Sequence, residues 1–266
     1  MASGNTNYFV SERQGLICEY INELKRVSVN DLIDQFNVSP STIRNDLATL
    51  EKHGKIRRTH GGAVSINLSR VGAESSVSDR MSYNADKKAS IAASANMEIE
   101  DGDTIALLAG TTVMSLAETL TNKKKLTIVV NDLSIAKWVD DNTEHNVFVL
   151  GGYVRKHYYY MDFSDAITNR INVDKAFFSC SGFSFETGPT ISDFALAASQ
   201  RQILNRAERK ILLCDSTKFG EITFANILSV DEIDMIITDG EISIQNLNSL
   251  KAMERTQFKV ANQKMT

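Results

Sequence analysis

The side chains that could do chemistry at a nucleic acid cluster between Ser39 and Gly62. Ser39, Ser41 and Thr42 offer small hydroxyls to phosphate oxygens. Arg44 offers a fork of donors to a guanine edge or a phosphate, and Asn45 offers an amide to an adenine edge. Lys55, Arg57, Arg58 and His60 follow and run into Gly61-Gly62. Between Lys52 and His60 there are Lys52, Lys55, Arg57 and Arg58 and no Asp or Glu. The competing reading is a small helical domain with a solvated basic loop. It accounts for each residue singly but not for the helix and turn signals around them.

Those signals define the elements that must hold the side chains. Ser28 precedes Val29-Asn30-Asp31, an S-x-x-D capping box that starts a helix. Val29, Leu32, Ile33 and Phe36 recur at helical spacing and form one apolar face. Asn37-Val38 leaves room only for a turn. Ser39 then caps a second helix, with Pro40 at its first position, where a missing N–H costs nothing. In that helix Ile43, Leu47 and Leu50 face inward, while Ser41, Arg44, Asn45 and Ala48 face out. Gly54 is the expected C′ stop. Lys55 to His60, Gly61-Gly62 and Ala63-Val64 read as strand, glycine turn and strand, a basic hairpin in the position of a wing. Ahead of all this, Ser11 to Arg26 is expected to be a packing helix. Ser11 and Gln14 would box its start, with Leu16, Ile17, Tyr20, Ile21 and Leu24 inward and Cys18 packed among them.

The pattern Val38-Ser39-x-x-Thr42-Ile43-Arg44-x-Asp46-Leu47-x-x-Leu50, then Gly54-Lys55-Ile56-x-Arg58-x-His60-Gly61-Gly62-Ala63, resembles the signature of the DeoR family of bacterial transcription regulators. The family's usual second Arg after Arg44 is Asn45 here, so the preferred operator bases are expected to differ. The resemblance implies a repressor that releases DNA, or rearranges on it, when a sugar phosphate binds its C-terminal domain.

The 266 residues suffice for two domains with sizeable cores. With 42% hydrophobic and 23% charged residues the composition is that of an ordinary globular chain. The net charge of −4 means that affinity for DNA must come from the local basic patch rather than from bulk charge. Cys18, Cys180 and Cys214 are far apart in sequence, with no C-x-x-C and no adjacent His pair. They argue against a zinc site or a disulfide framework and fit a reducing cytoplasm. His53, His60, His145 and His157 have no metal spacing. No apolar run reaches membrane-spanning length, and the first residues carry no signal segment. Residues 1–65 are expected to form the winged helix-turn-helix reader, 66–85 a linker, and 86–266 a sensing and oligomerising domain.

From Asp103 short apolar strands alternate with helices. Thr104–Leu108, Leu126–Val130, Asn146–Leu150, Lys175–Ser179, Lys210–Cys214 and Met235–Thr238 are the expected strands. Asp86–Met97, Thr112–Leu120, Leu133–Asp140 and Ser192–Ala207 are the expected helices. A last helix around Leu247, Leu250 and Met253 and a strand at Phe258–Val260 would close the chain. Such alternation predicts an α/β domain with a mainly parallel sheet, which takes ligands at the carboxyl ends of its strands. The residues at those ends are Gly110, Thr111 and Thr112; Asn131; Gly151, Gly152 and Arg155; Ser181 and Gly182; and Asp215 and Lys218. Small polar residues with one Arg and one Lys suit a phosphorylated polyol. Taken one at a time, each is as readily a turn residue.

This half also resembles the DeoR-type sensor domain, which is similar in fold to ribose-5-phosphate isomerase. The match runs through Gly110-Thr111-Thr112, Asn131, Gly151-Gly152-x-x-Arg155, Asp215-x-x-Lys218-Phe219 and Thr238-Asp239, and it implies ligand contact at these positions. Arg80, Asn84 and Lys88 match positions where the family enters this domain. They are read either as signalling residues or as a solvated helix start. The departures run from polar or small to apolar or bulky: Leu108 for an Asp, Val130 for a Thr, Tyr160 and Phe163 for a Ser and a Gly, and Leu196 and Gln200 for an acid and a Lys. Either the effector pocket is altered, filled by Tyr158-Tyr159-Tyr160 and Phe163, or these aromatics pack elsewhere.

The alternative function is a sugar-phosphate isomerase-like enzyme. It needs a carboxylate base near the fourth strand, and none lies between Asp174 and Glu186. Cys180 reads as a buried structural thiol, and no cofactor is called for. The sequence therefore predicts a cytoplasmic DNA-binding regulator. Its expected partners are an operator duplex, a phosphorylated sugar effector and further copies of itself, because one small reader makes few phosphate contacts.

Overall fold

The structure, a computed structural model, describes residues 10–24, 26–53, 55–59, 61–65, 81, 83–155, 158–160 and 170–261, without the side chains of Ser11, Arg26, Arg57, Tyr153, Arg155, Tyr158, Tyr159 and Tyr160. The chain divides into two compact units between Glu74 and Ser75. Gly54, His60, Arg80, His157, Phe163 and most of the expected linker lie outside the described residues.

The first unit runs α1 (Val10–Leu24), β1 (Arg26–Ser28), α2 (Val29–Phe36), α3 (Pro40–Lys52), β2 (Ile56–Thr59) and β3 (Gly62–Ser65). The Ser28 capping box forms as the sequence predicts, with Ser28 Oγ accepting from the Asp31 N–H and the Asp31 carboxylate from the Ser28 N–H. The Ser28 N–H, and after it the Ser28 hydroxyl, hold the Asp31 carboxyl below its ordinary value of 3.8. Asn37 takes a left-handed conformation (φ 51°) that ends α2, and its N–H returns to the Ile33 carbonyl. Ile17, Ile21, Val27, Leu32, Ile43, Leu47, Leu50, Ile56 and Ala63 form the core.

Two expectations are corrected here. The first helix stops at Leu24 rather than Arg26, because Arg26–Ser28 joins the wing as a third strand, in the order β1-β3-β2. Gln14 does not box the start of α1. Its amide donates to Asp46 at 2.9 Å, a bond that a buried carboxylate requires and an exposed helix start does not.

The second unit is a seven-stranded parallel sheet in the order β15-β14-β12-β9-β4-β5-β6. The strands are β4 (Thr104–Leu107), β5 (Thr127–Val130), β6 (Asn146–Val149), β9 (Val173–Ser179), β12 (Ala207–Leu213), β14 (Met235–Asp239) and β15 (Gln257–Ala261). Burial alternates along them. Ile105, Leu107, Ile128, Val130, Phe177, Ile211, Leu213 and Ile237 face a layer formed by α4 (Ala85–Asn96), α5 (Thr111–Ala117) and α6 (Leu133–Asn142). Ala106, Leu108, Val129, Ala176, Phe178, Leu212 and Ile236 face the other layer, where α7 (Phe194–Leu204) and α8 (Ile244–Lys251) pack. Each fully buried Ile, Leu or Phe contributes about 1.5–3 kcal/mol, so burial on both faces dominates the stability of this unit.

Smaller elements were not predicted. β7 (Tyr153–Arg155) and β8 (Tyr158–Tyr160) form a hairpin, and β10 (Gly182–Ser184), β11 (Gly188–Ile191) and β13 (Ala225–Asn226) form a second, antiparallel sheet. Strands of two to four residues carry too little alternation to be distinguished from loop. β12 begins at Ala207 rather than Lys210, and α7 begins only after Asp193, whose carboxylate accepts from the Leu196 N–H. Among the described residues no helix is long and apolar enough to cross a membrane, and no cluster of three potential metal ligands occurs.

Candidate DNA-reading surface and effector site

The N-terminus of α3 gathers the predicted hydroxyls. Ser39 Oγ accepts from the Thr42 N–H at 3.2 Å and lies 2.8 Å from both Ser41 Oγ and Thr42 Oγ1. Pro40 follows at the first helical position. Ser39, Ser41, Arg44, Asn45 and Ala48 are exposed on one side, and Ile43, Leu47 and Leu50 are buried on the other. This is a helix face with hydroxyls at its positive end and a guanidinium and an amide one turn on, the donor set of a major-groove reader.

The residue that sequence reasoning missed is Asp46. It is 3% exposed and receives Arg13 Nε at 2.7 Å, Arg13 Nη2 at 3.4 Å and Gln14 Nε2 at 2.9 Å. Its position between two inward residues, Ile43 and Leu47, was the available signal. The ion pair ties α1 to α3, and it neutralises the carboxylate adjoining Asn45, so α3 presents no uncompensated negative charge beside its reading face.

The wing sets the remaining cations. Lys55 is exposed, and its N–H closes the end of α3 on the Leu50 carbonyl at 2.9 Å. Arg58 is exposed. Its N–H donates to Glu51 Oε1 at 3.0 Å, and its Nη1 is 4.0 Å from Glu51 Oε2. Glu51 therefore stands just outside the acid-free run and offsets one of its charges. An exposed pair of this kind is worth little and yields easily to a phosphate. Arg57 lies in β2 with its side chain outside the described residues.

The two glycines of the turn differ. Gly61 is exposed, and its carbonyl accepts from the Val29 N–H at 2.8 Å. Gly62 is buried, and a Cβ there would lie 2.0 Å from the Val27 carbonyl oxygen. It is glycine because β1 crosses directly above it.

In the sheet the chain builds outward from β4 to β6 and then returns to place β9 on the other side of β4. The crevice of such a sheet opens where the strand order reverses, between β4 and β9. Ala109-Gly110 leaves β4 at this point. The Ala109 N–H donates to Asn131 Oδ1 at 2.7 Å, and its carbonyl accepts from Gln200 Nε2 at 3.2 Å. Both amides are fully buried, and among the described residues Asn131 Nδ2 and Gln200 Oε1 have no hydrogen-bond partner. A Cβ on Gly110 would meet Ser179 Oγ at 2.0 Å. Its smallness thus serves the β4–β9 approach and not only an anion. Thr111 is half-buried and Thr112 buried.

A second group forms at the ends of β12 and β14. Asp215 accepts from the Thr217 N–H at 3.0 Å and from the Thr217 hydroxyl, and Asn84 Nδ2 lies 3.5 Å from Asp215 Oδ1 and from Thr217 Oγ1. Lys87 Nζ donates to Ser216 Oγ at 2.9 Å and to Glu241 at 2.8 Å, with Asp239 at 3.9 Å. The Ser216 N–H bonds Asp239 at 2.6 Å. Lys218 is half-buried beside them. The start of α4 is therefore bonded to the strand-end loop rather than solvated, through Asn84 and through Lys87, which the sequence reading did not single out. Lys88 is buried, with Nζ on the Tyr83 carbonyl at 2.6 Å.

Among the described residues no hydrogen bond or ion pair joins Gly151, Gly152, Ser181 or Gly182 to either group. Gly151 and Gly152 are exposed beyond the edge strand β6, and Arg155 lies in β7 with its side chain outside the described residues. Ser181 is half-buried, its N–H on the Thr190 carbonyl at 2.8 Å. Gly182 is buried, and a Cβ there would meet the Glu221 carbonyl at 2.4 Å, so close strand packing accounts for a glycine at this position. Leu108, Val130 and Leu196 are buried in the two apolar layers. Gln200, read from sequence as a departure, is a polar clamp on the Ala109 peptide.

Two family models match the chain: the DeoR-like helix-turn-helix domain over residues 13–68 and the DeoR C-terminal sensor domain over residues 83–240. The chain belongs to the DeoR family of helix-turn-helix transcriptional regulators. It is 33% identical over 255 residues to the uncharacterised regulator YulB of Bacillus subtilis (strain 168), covering 94% of this chain and 96% of that protein. It is also 33% identical over 232 residues to the lactose phosphotransferase system repressor of Streptococcus mutans serotype c, covering 86% and 91%. Among solved structures, ribose 5-phosphate isomerase A of Methanocaldococcus jannaschii superposes with a TM-score of 0.38 at 18% identity, over 51% of this chain and 55% of that one.

Proposed function

We propose that this transcriptional regulator reads its operator with the Ser39–Asn45 face of α3 and is controlled by a phosphorylated sugar held at the carboxyl ends of its parallel strands. The observation that carries the sensing half of this reading is the pair of buried amides clamped on Ala109. Among the described residues Asn131 Nδ2 is a donor without an acceptor and Gln200 Oε1 an acceptor without a donor, both beside the β4–β9 reversal. A buried polar atom left unpaired costs about 1–3 kcal/mol, and sugar hydroxyls, each both donor and acceptor, satisfy such atoms. Thr111, Ser181 and Lys218 add hydroxyls and a cation at neighbouring strand ends, and Arg155 follows the end of β6. The named role of the Streptococcus relative, a repressor of a sugar phosphotransferase system, supports the same class of effector.

Control would run through α4. Asn84 and Lys87 join its start to Asp215, Ser216 and Glu241, and the chain N-terminal to it leads back to the reader. An effector that prefers one arrangement of the Asp215–Lys218 loop shifts the position of that start. The protein acts in the cytoplasm as a homodimer or larger homo-oligomer. Two readers on two half-sites supply the phosphate contacts that a single reader lacks.

The test is a thermal-shift panel of phosphorylated aldoses and ketoses on the wild type and on Asn131→Ala. One compound should stabilise the wild type and leave the variant unshifted. Stabilisation of both to the same extent would remove Asn131 from the site.

A further inference from the structure

Cys180 and Cys214 lie 34 positions apart in sequence, yet their sulfurs are 3.7 Å from each other. The sheet register explains the meeting. β9 and β12 pair in parallel with Ser179 opposite Leu213, so the next residues of the two strands, Cys180 and Cys214, leave the sheet side by side. Neighbouring strands are about 4.8 Å apart. That spacing falls within the roughly 4.4–6.8 Å between α-carbons that a disulfide accepts. The two thiols belong to the same apolar layer, Cys214 buried at 1% exposure and Cys180 half-buried at its edge. Closing the bond requires the sulfurs to approach from 3.7 Å to about 2.05 Å, within reach of small side-chain rotations.

We propose that Cys180 and Cys214 form an oxidisable thiol pair, closed by a peroxide into an intrachain disulfide that links the carboxyl ends of β9 and β12. The half-buried Cys180 reacts first. Its thiol gives up a proton, the sulfur attacks one peroxide oxygen, the O–O bond breaks, and the departing hydroxide takes that proton, so that a sulfenic acid and a molecule of water form. Cys214 sulfur then attacks the sulfenic sulfur, the S–O bond breaks, and a second water leaves with the thiol proton. Two thiols and one hydrogen peroxide thus give one disulfide and two waters. Burial, with the Cys180 thiol next to it, pushes the Cys214 thiol well above its ordinary range, so Cys214 stays protonated and is not the thiol that meets the peroxide first. Cys18 lies in the other unit, and its sulfur contacts are the Asn22 amide and the Lys55 carbonyl. The bridge would join two loops that continue directly into Ser181 and Asp215. It would therefore fix the separation between the end of β9, which borders the crevice, and the end of β12, which carries the Asp215–Lys218 loop.

The test is peptide mapping of the full-length protein treated with hydrogen peroxide, alkylated under native conditions and digested with trypsin. The expected product links the peptides 176–201 and 211–218, is two hydrogens lighter than their sum, and disappears on reduction with dithiothreitol. Cys180→Ser should give no linked peptide and should leave Cys214 unalkylated until the protein is unfolded. Cys214→Ser should hold Cys180 as a sulfenic acid that dimedone captures. The Cys180→Ser result stands alone if Cys214→Ser does not fold. Oxidation of wild-type Cys180 to sulfinic or sulfonic acid with no linked peptide would overturn the proposal. So would a linked peptide that forms only in unfolded protein.

Discussion

Arg13 of α1 and Asp46 of α3 form an ion pair at 2.7 Å with side-chain exposures of 12% and 4%, directly behind the face that carries Arg44 and Asn45. The pair positions the reading helix and neutralises the carboxylate next to it. Removing one partner leaves a nearly buried charge uncompensated, which typically costs about 3–5 kcal/mol. Asp46→Ala should therefore lower the stability of the reader by about 3 kcal/mol in urea denaturation. The double substitution Arg13→Met with Asp46→Leu should recover most of that loss, because two apolar residues leave no stranded charge. Equal losses in the single and double variants would show that the helices are tied elsewhere.

Arg44 and Lys55 should fail in different ways. Arg44 is exposed on the α3 face and makes no hydrogen bond or ion pair among the described residues, so its donors are free for a base edge. Arg44→Ala should abolish selectivity for the operator over random DNA. Lys55, at the base of the wing, should contribute a phosphate contact alone. Lys55→Ala should weaken all sequences alike and reduce the salt dependence of log K by about 0.9. Fluorescence anisotropy at several salt concentrations separates the two, and retained selectivity in Arg44→Ala would displace the reading face.

Much of the reader was legible in the sequence because its signals are local. The Ser28 box and the Ser39-Pro40 start each need only three or four consecutive residues, and both form as expected. The Gln14 amide went to Asp46 instead of capping α1 because a contact across 32 positions leaves no local trace. The same holds for β1, which pairs with a strand more than thirty residues later, and for Gly62, whose small size answers to Val27 overhead. In the sheet the short apolar runs gave the succession of strands and helices along the chain but not which strands lie side by side. The pairing of Cys180 with Cys214, and the grip of Asn131 and Gln200 on Ala109, depend on which strands become neighbours, and that is a property of topology alone.

Acid should weaken the reader through Asp31. Its folded-state value is depressed by the Ser28 N–H and hydroxyl, so the carboxylate stabilises the fold above its ordinary 3.8. The contribution is lost as pH falls through the lower folded value. Wild type should exceed Asp31→Asn in stability at neutral pH, and the gap should close below about pH 3.8. Because Asp31 is exposed, the gap is modest and shrinks with salt. A gap that stays constant from neutral pH to pH 3 would mean that the carboxylate charge is not what holds the box.

Control of DNA reading by a ligand at the strand ends is what we propose for this protein. The most direct measurement is a gel-shift titration on the promoter of the protein's own gene, with and without a panel of phosphorylated sugars, in parallel for wild type and Gln200→Ala. Both proteins should bind specifically, and one compound should change wild-type affinity at least tenfold. That change should be absent or strongly reduced in Gln200→Ala. Specific binding that no phosphorylated sugar alters in the wild type would contradict the proposal.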